Sequence, residues 1–293
     1  MRFDTSMITV LALTLLSTLT VPGIAGADIK PPSPDGETCQ NRQATIVCVA
    51  NVNCNGTPGD DVIVGTNGDD NIFAGEGNDV ICGRRGDDVI VADRGDDLVF
   101  GQEGFDTIFG GSGNDFINGG SEADRIEGGD DSDDILGDGG GDTIWGDNSA
   151  SDATGAKDFI YGGDGDDTIF GGRGNDQLWG DGDADTIRGG DGHDFIDGGA
   201  GNDPILNGND GDDKIRGGSG NDELFGEDGD DQLDGDADDD VLWGGDNDDL
   251  LFGDSGDGDR CFGQAHDVED LIVRIGGETS CEVEGTFEGY LDI

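Results

Sequence analysis

Residues 110–118 read Gly110-Gly111-Ser112-Gly113-Asn114-Asp115-Phe116-Ile117-Asn118, and the same nine-residue unit returns as GGRGNDQLW (171–179), GGDGHDFID (189–197) and GGSGNDELF (217–225). Outward from these copies, the frame Gly-Gly-x-Gly-x-Asp-x-U-x, with U an Ile, Leu or Val, holds from Gly56 to Phe262. It runs without a break from 56 to 145, is interrupted at 146–152, and resumes from 153 to 206. Asn207 then reads as one extra residue, regular copies fill 208–252, and a degenerate copy covers 253–262. A short fixed period of this kind marks a solenoid, in which each unit packs only on its neighbours. The triplet x-U-x is too short for a helix, and the flanking glycines oppose one. It suits a very short strand with U turned inward and its neighbours outward. Turn, strand, turn and strand then close one coil in eighteen residues, and about eleven coils at ~4.8 Å make an all-β rod of roughly 50 Å.

The aspartate register is unbroken: Asp61, Asp70, Asp79, Asp88, Asp97, Asp106, Asp115, Asp124, Asp133 and Asp142, then Asp158, Asp167, Asp176, Asp185, Asp194 and Asp203, then Asp213, Asp222, Asp231, Asp240 and Asp249. Glycines permit positive φ and aim backbone carbonyls at one point, while the aspartate directs a carboxylate to the same side. Carbonyl donors of this kind include Gly111, Gly113, Gly163, Gly165, Gly172, Gly174, Gly190, Gly192, Gly199, Gly201, Gly218 and Gly220. Such an all-oxygen set suits calcium, a hard cation that takes six to eight ligands in tolerant geometry; magnesium demands stricter octahedra and keeps its waters. One turn cannot supply so many ligands, but two stacked turns can. The fourth-position glycine lapses at Glu122, Asp131, Ala156, Asp183, Asp238 and Asn247. Glu and Ala tolerate a left-handed backbone poorly, so the turns at 119–124 and 153–158 are predicted to be the weakest sites.

These repeats resemble those of the RTX (haemolysin-type) calcium-binding proteins. The resemblance implies a right-handed parallel β-roll, with each ion held between repeat n and repeat n+2 on the same edge. One aliphatic side chain per nine residues is little burial against the entropy of ordering a glycine-rich turn. Folding and calcium binding are therefore expected to be one event.

The chain carries 69 acidic against 14 basic residues, a formal charge of −55. Nucleic acid, acidic polysaccharide and anionic membranes are poor partners for the bare chain, because each would be repelled. The acidic residues recur at fixed phase rather than in blocks, which argues against a disordered acidic tail. About nineteen bound calcium ions, roughly +38, would cancel most of this charge.

Met1–Ala27 reads as a secretory signal peptide: Arg2, the apolar stretch Met7–Val21 and the small-x-small site Ala25-Gly26-Ala27. A linker, Lys30-Pro31-Pro32-Ser33-Pro34, leads to a cysteine-containing N-terminal cap, 28–55 in all, and residues 263–293 read as a C-terminal cap. No further apolar stretch is long enough to span a bilayer, so the reading is a secreted, extracellular protein. Six cysteines in an exported chain suggest disulfides. The expected pattern joins Cys39, Cys48, Cys54 and Cys82 among themselves and Cys261 to Cys281. The lack of a Cys-x-x-Cys, with His193 and His266 lying elsewhere, argues against zinc.

No His-Glu-x-x-His, Gly-x-Ser-x-Gly or Walker A motif occurs, and the segments flanking the repeats are too short for an ordinary catalytic domain. The reading is a non-enzymatic calcium-binding protein with a structural, matrix or surface role. The alternative is a calcium-dependent module for carbohydrate or self-association. It rests on the aromatic residues that follow U: Phe73, Phe100, Phe109, Trp145, Tyr161, Phe170, Trp179, Phe225, Trp243 and Phe252. These point outward and either pack as ladders or offer a strip to a partner.

Overall fold

The computed structural model describes residues 38–50, 52–147, 155–255, 258–263, 271–274, 282–283 and 290–292. The signal-peptide and linker readings, Cys281 and most of the C-terminal cap lie outside the described residues. All described elements are strands. Successive strands alternate between two parallel sheets, one of 14 strands and one of 13, so each strand pairs with the strand two places on. Strand β10 (Thr107–Ser112) shows the rule, with Ile108 opposite both Ile90 and Ile126. This is the predicted parallel β-solenoid.

The strands are twice as long as predicted. Those of the regular coils run six residues, as Thr107–Ser112 and Thr168–Arg173 do, because pairing continues through the first three turn positions. Gly111 lies opposite both Asp93 and Gly129, and Ser112 opposite Arg94 and Asp130. Alternation therefore also continues: U and the first glycine face inward, and the residues around them face out.

The core is a single file of U side chains, from Ile63 through Ile108, Ile160 and Leu206 to Leu251, each without solvent exposure. One step of the file departs from the sequence register. Leu206, not Ile205, occupies the core beside Ile187 and Leu224, and Asn207 is a regular strand residue opposite Arg188 and Phe225. The extra residue is thus Pro204. The first residue of a strand regularly donates its N–H to the preceding coil's aspartate carbonyl, as Thr186 does to Asp167 (2.8 Å). Proline has no N–H to give, so the chain bulges there. At the longer interruption, Gly146 and Asp147 complete the strand Thr143–Asp147, and the aspartate row resumes at Asp158.

The N-terminal cap does two jobs. Strands β3 (Ile46–Val47) and β4 (Cys54–Asn55) add a first coil to the two sheets, closed by the Cys48–Cys54 disulfide. Ahead of them, the hairpin of β1 (Thr38–Cys39) and β2 (Arg42–Gln43) contributes to a second core against Val64, Val80, Cys82, Phe100 and Phe116. The Cys39–Cys82 disulfide fastens it there. The four N-terminal cysteines pair among themselves, as expected, but one bridge staples the side of the rod rather than its end. At the other end Cys261 takes a U position in the core file and is disulfide-bonded; its expected partner lies outside the described residues.

Six of the outward aromatics, Trp145, Tyr161, Phe170, Trp179, Phe225 and Trp243, stack along the rod, whereas Phe100 is buried in the second core. Ring centroids lie 4.4 Å apart for Tyr161–Trp179 and 3.9 Å for Trp243–Phe262, with interplanar angles of 4° and 11°. Trp145 stacks on Phe170 at 5.6 Å, and Arg125 covers its ring at 4.0 Å. Ring faces are thereby turned along the axis, where packing uses them, and edges are turned to solvent. Trp179→Ser is therefore expected to cost about 1 kcal/mol or more of stability in calcium, read as a lower thermal midpoint. An unchanged midpoint would remove the packing role.

Candidate metal centre

The repeat aspartates form two rows, one along each edge of the roll, and all of them are buried. Within each row the backbone N–H of one aspartate donates to Oδ1 of the aspartate one coil on. Asp97 N–H meets Asp115 Oδ1 at 2.8 Å, and Asp115 N–H meets Asp133 Oδ1 at 2.8 Å. The row crosses the interruption intact, through Asp133 N–H to Asp158 Oδ1 at 2.8 Å, and crosses the Pro204 bulge through Asp203 to Asp222 at 2.9 Å. Every aspartate singled out from the sequence belongs to one of these rows. Asp259, which the degenerate last copy concealed, belongs as well: it accepts from Asp240 N–H at 3.0 Å and is fully buried. Its signal was Cys261 standing in for U two residues later.

The second carboxylate oxygen is different. Oδ2 of each row aspartate from Asp79 to Asp142, and from Asp167 to Asp240, is buried with no hydrogen-bond partner. A buried carboxylate oxygen without a partner is costly unless a cation meets it. The first-position glycine makes room beside it. A Cβ placed on Gly110 would strike Asp115 Oδ2 and the carbonyl oxygen of Gly128 on the next coil. The same convergence recurs at Gly101, with Asp106 Oδ2 and Gly119 O, and at Gly180, with Asp185 Oδ2 and Gly198 O. Hard oxygens thus gather in a space that only glycine leaves open, and this donor set fits calcium.

The carbonyls predicted from the second and fourth glycines also lie between coils: those of Gly111, Gly172 and Gly199 stand where a Cβ on Gly129, Gly190 and Gly218 would be, and those of Gly174, Gly192 and Gly201 where one on Gly192, Gly211 and Gly220 would be. Gly113, Gly163, Gly165, Gly190, Gly218 and Gly220 all adopt positive φ. The first-position carbonyls were missing from the sequence-based set. Of the lapsed fourth positions, Glu122 is forced to φ 72°, and its carboxylate turns back to accept from Gly104 N–H at 2.9 Å. Beside Ala156, Gly155 takes the positive φ instead.

Electrostatics agree with an unmet need for positive charge. Burial, then like-charged neighbours, push the carboxyl of Asp97 up to about 7, Asp115 to about 8 and Asp133 to about 10. Asp61 shows the opposite. Burial is the largest single influence there too, but hydrogen bonds from Thr57 N–H (2.7 Å), Thr57 Oγ1 (2.9 Å) and Thr45 Oγ1 (2.9 Å) outweigh it and hold the carboxyl below its usual range. Protein donors serve both oxygens at the start of the row.

A second polar ladder went unread in the sequence. The fifth-position side chain accepts the N–H of the fifth position one coil on, as in Asn78 N–H to Asp60 Oδ1 (3.0 Å), Asp96 to Asn78 (3.2 Å) and Asn114 to Asp96 (3.0 Å). Its trace is the frequent Asp or Asn just before the row aspartate. On the outer face, Asp234, Asp236 and Asp254 cluster, and Arg216 meets Asp236 at 2.8 Å.

The model of the RTX calcium-binding nonapeptide repeat matches the chain at 55–90, 91–126, 118–150, 152–178, 174–203, 205–233 and 225–259. A comparison with curated proteins gives no match.

Proposed function

The chain belongs to the RTX calcium-binding nonapeptide repeat family, and from that premise we propose that it is an exported, non-enzymatic protein whose rod is built by calcium and serves a structural or surface role outside the cell. The carrying observation is the row of buried Oδ2 atoms without hydrogen-bond partners, repeated coil after coil. The row aspartates would hold the ions with backbone carbonyls of the first, second and fourth turn positions. Bound calcium supplies charge neutralisation and a tie between successive coils. Export is supported by the signal-like Met1–Ala27 and by the disulfides Cys39–Cys82 and Cys48–Cys54, which persist in oxidising compartments. The stacked aromatic faces speak against sugar-ring recognition, which needs a free ring face.

Loading is expected to be uneven. Asp222→Ala, in a turn with positive-φ Gly218 and Gly220, should lower bound calcium by about one to two ions per chain. Asp124→Ala lies in the turn where Glu122 carries roughly 1–2 kcal/mol of left-handed strain, and should remove less. Calcium counted by native mass spectrometry decides between them. Equal losses would refute the ranking, and no loss from either would refute the assignment of these aspartates as ligands.

A further inference from the structure

The two sheets of the roll differ in what they leave bare. On the outer face of the 14-stranded sheet, the β1–β2 hairpin covers Val64, Val80, Cys82, Phe100 and Phe116. Every other described strand belongs to one of the two sheets, so none is left to cover the 13-stranded one. Among the described residues outside the N-terminal cap, the exposed large apolar side chains are Phe73 (38%), Phe105 (59%) and Trp243 (41%). Phe73 and Trp243 stand on the uncovered sheet, and Phe105 leads into its strand β10.

Ten strands of that sheet, every second one from β6 (Asn71–Glu76) to β24 (Val241–Asp246), pair in continuous parallel register. The column of residues after U runs from Phe73 to Trp243 and is apolar except at Glu127, Arg188 and Asn207. In the column before U, Thr143, Thr168 and Thr186 stand in succession. Across both columns two carboxylates, Glu127 and Glu223, are balanced by two arginines, Arg125 and Arg188. A neutral face thus lies on a chain of net −55, and two such rods repel each other least across it. Ten strands at ~4.8 Å and six residues at ~3.3 Å make this face roughly 800–900 Å². That is about what each partner contributes to a stable dimer.

We propose that two rods pair side by side through this face as a closed, antiparallel dimer, with the dyad between the strands of Thr143 and Thr168. A two-fold axis that crosses the rods lays each column on itself and matches strands from opposite ends of the ten. At full overlap Phe73 falls opposite the second copy's Trp243, and Glu127 opposite the second copy's Arg188. The two exposed rings are covered and the two charges are complementary. Parallel rods would instead set Glu127 against Glu127 and Arg188 against Arg188. One like-charged match remains in the antiparallel pair, Asp93 with Glu227; both are exposed toward the rim of the face, where salt screens them. The same patch serves both copies, so association stops at two.

The inference rests on the calcium-folded rod, and the test separates the two. The full secreted chain is purified in calcium, and circular dichroism and sedimentation velocity are recorded on the same samples across a concentration series. The expected result is a β-rich spectrum with a mass that rises to that of the dimer and stays there. Thr168→Glu puts two like charges beside the dyad and should weaken pairing at least about tenfold with the spectrum unchanged. Gln232→Glu adds the same charge at an exposed site on the 14-stranded sheet and should leave pairing intact. Arg188→Glu should weaken pairing, and Glu127→Arg added to it should restore it. A β-rich wild-type sample that stays monomeric up to about 100 μM overturns the side-by-side proposal alone. So does a mass that grows past the dimer, an equal loss from Thr168→Glu and Gln232→Glu, or a charge exchange that fails to restore pairing. A chain without β structure in calcium overturns the folding reading instead.

Discussion

Stripped of divalent metal at neutral pH or above, the chain is expected to lose most of its β-sheet circular dichroism and to regain it on addition of calcium. The argument is local and then multiplied. Each regular coil buries two aliphatic side chains, such as Ile108 and Ile117, around turns in which several glycines must be fixed at positive φ. Glycine loses more freedom on ordering than any other residue. Each coil also buries two carboxylates, one in each row, and the next coil adds one more to each row. Asp97, Asp115 and Asp133 follow one another at hydrogen-bond distance, and among the described residues no cationic side chain offsets their charge. In a solenoid every coil leans only on its neighbours, so a deficit in each coil is a deficit for the whole rod. Calcium meets the orphaned oxygens and cancels the repulsion together, which ties folding to binding. The disulfides Cys39–Cys82 and Cys48–Cys54 restrain only the first coils and that of Cys261 only the last, and residual structure in chelator is expected to be confined to these ends. A β-rich spectrum that survives complete metal removal would show that the roll stands without its ions.

What the nine-residue period made legible was whatever repeats with it. The file of U residues and both aspartate rows could be read because each depends on one residue type at one phase. Three things could not be read. The length of the strands depends on Gly111 and Ser112 pairing with residues eighteen positions away, and a turn-forming glycine gives no sign of that. The position of the extra residue depends on which backbone N–H the ladder can forgo, which singles out Pro204 rather than Asn207. The side-on hairpin depends on Val80, Cys82 and Phe116 being apolar on the outer face, and period alone treats those positions as free. At the candidate site the carboxylates were legible, whereas the first-position carbonyls were hidden. That glycine is needed for what it lacks, a Cβ that would fill the space beside Oδ2.

Acid should partly replace calcium. In the metal-free roll the row carboxyls are raised above their ordinary value of 3.8, first by burial and then by one another: Asp88 to about 7, Asp185 to about 8, Asp213 to about 8, Asp240 to about 8. A carboxyl whose pKa is higher folded than unfolded binds more protons in the folded state across the interval between the two values. Its contribution to stability is therefore fully present below the unfolded value and is lost as pH rises through the folded one. For this chain the window runs from about pH 4 to about pH 8, and the metal-free roll should gain order as pH falls through it. Calcium affinity should move the other way, because each ion must displace those protons. A proton removes the charge on Oδ2 but does not tie two coils together, so acid should restore less β structure than calcium does. The measurement is circular dichroism of metal-free protein near pH 5 and near pH 8, beside the calcium-saturated form at the higher pH. Equal metal-free spectra at the two pH values, or more order at the alkaline one, would show that the buried rows do not set the electrostatics of the fold.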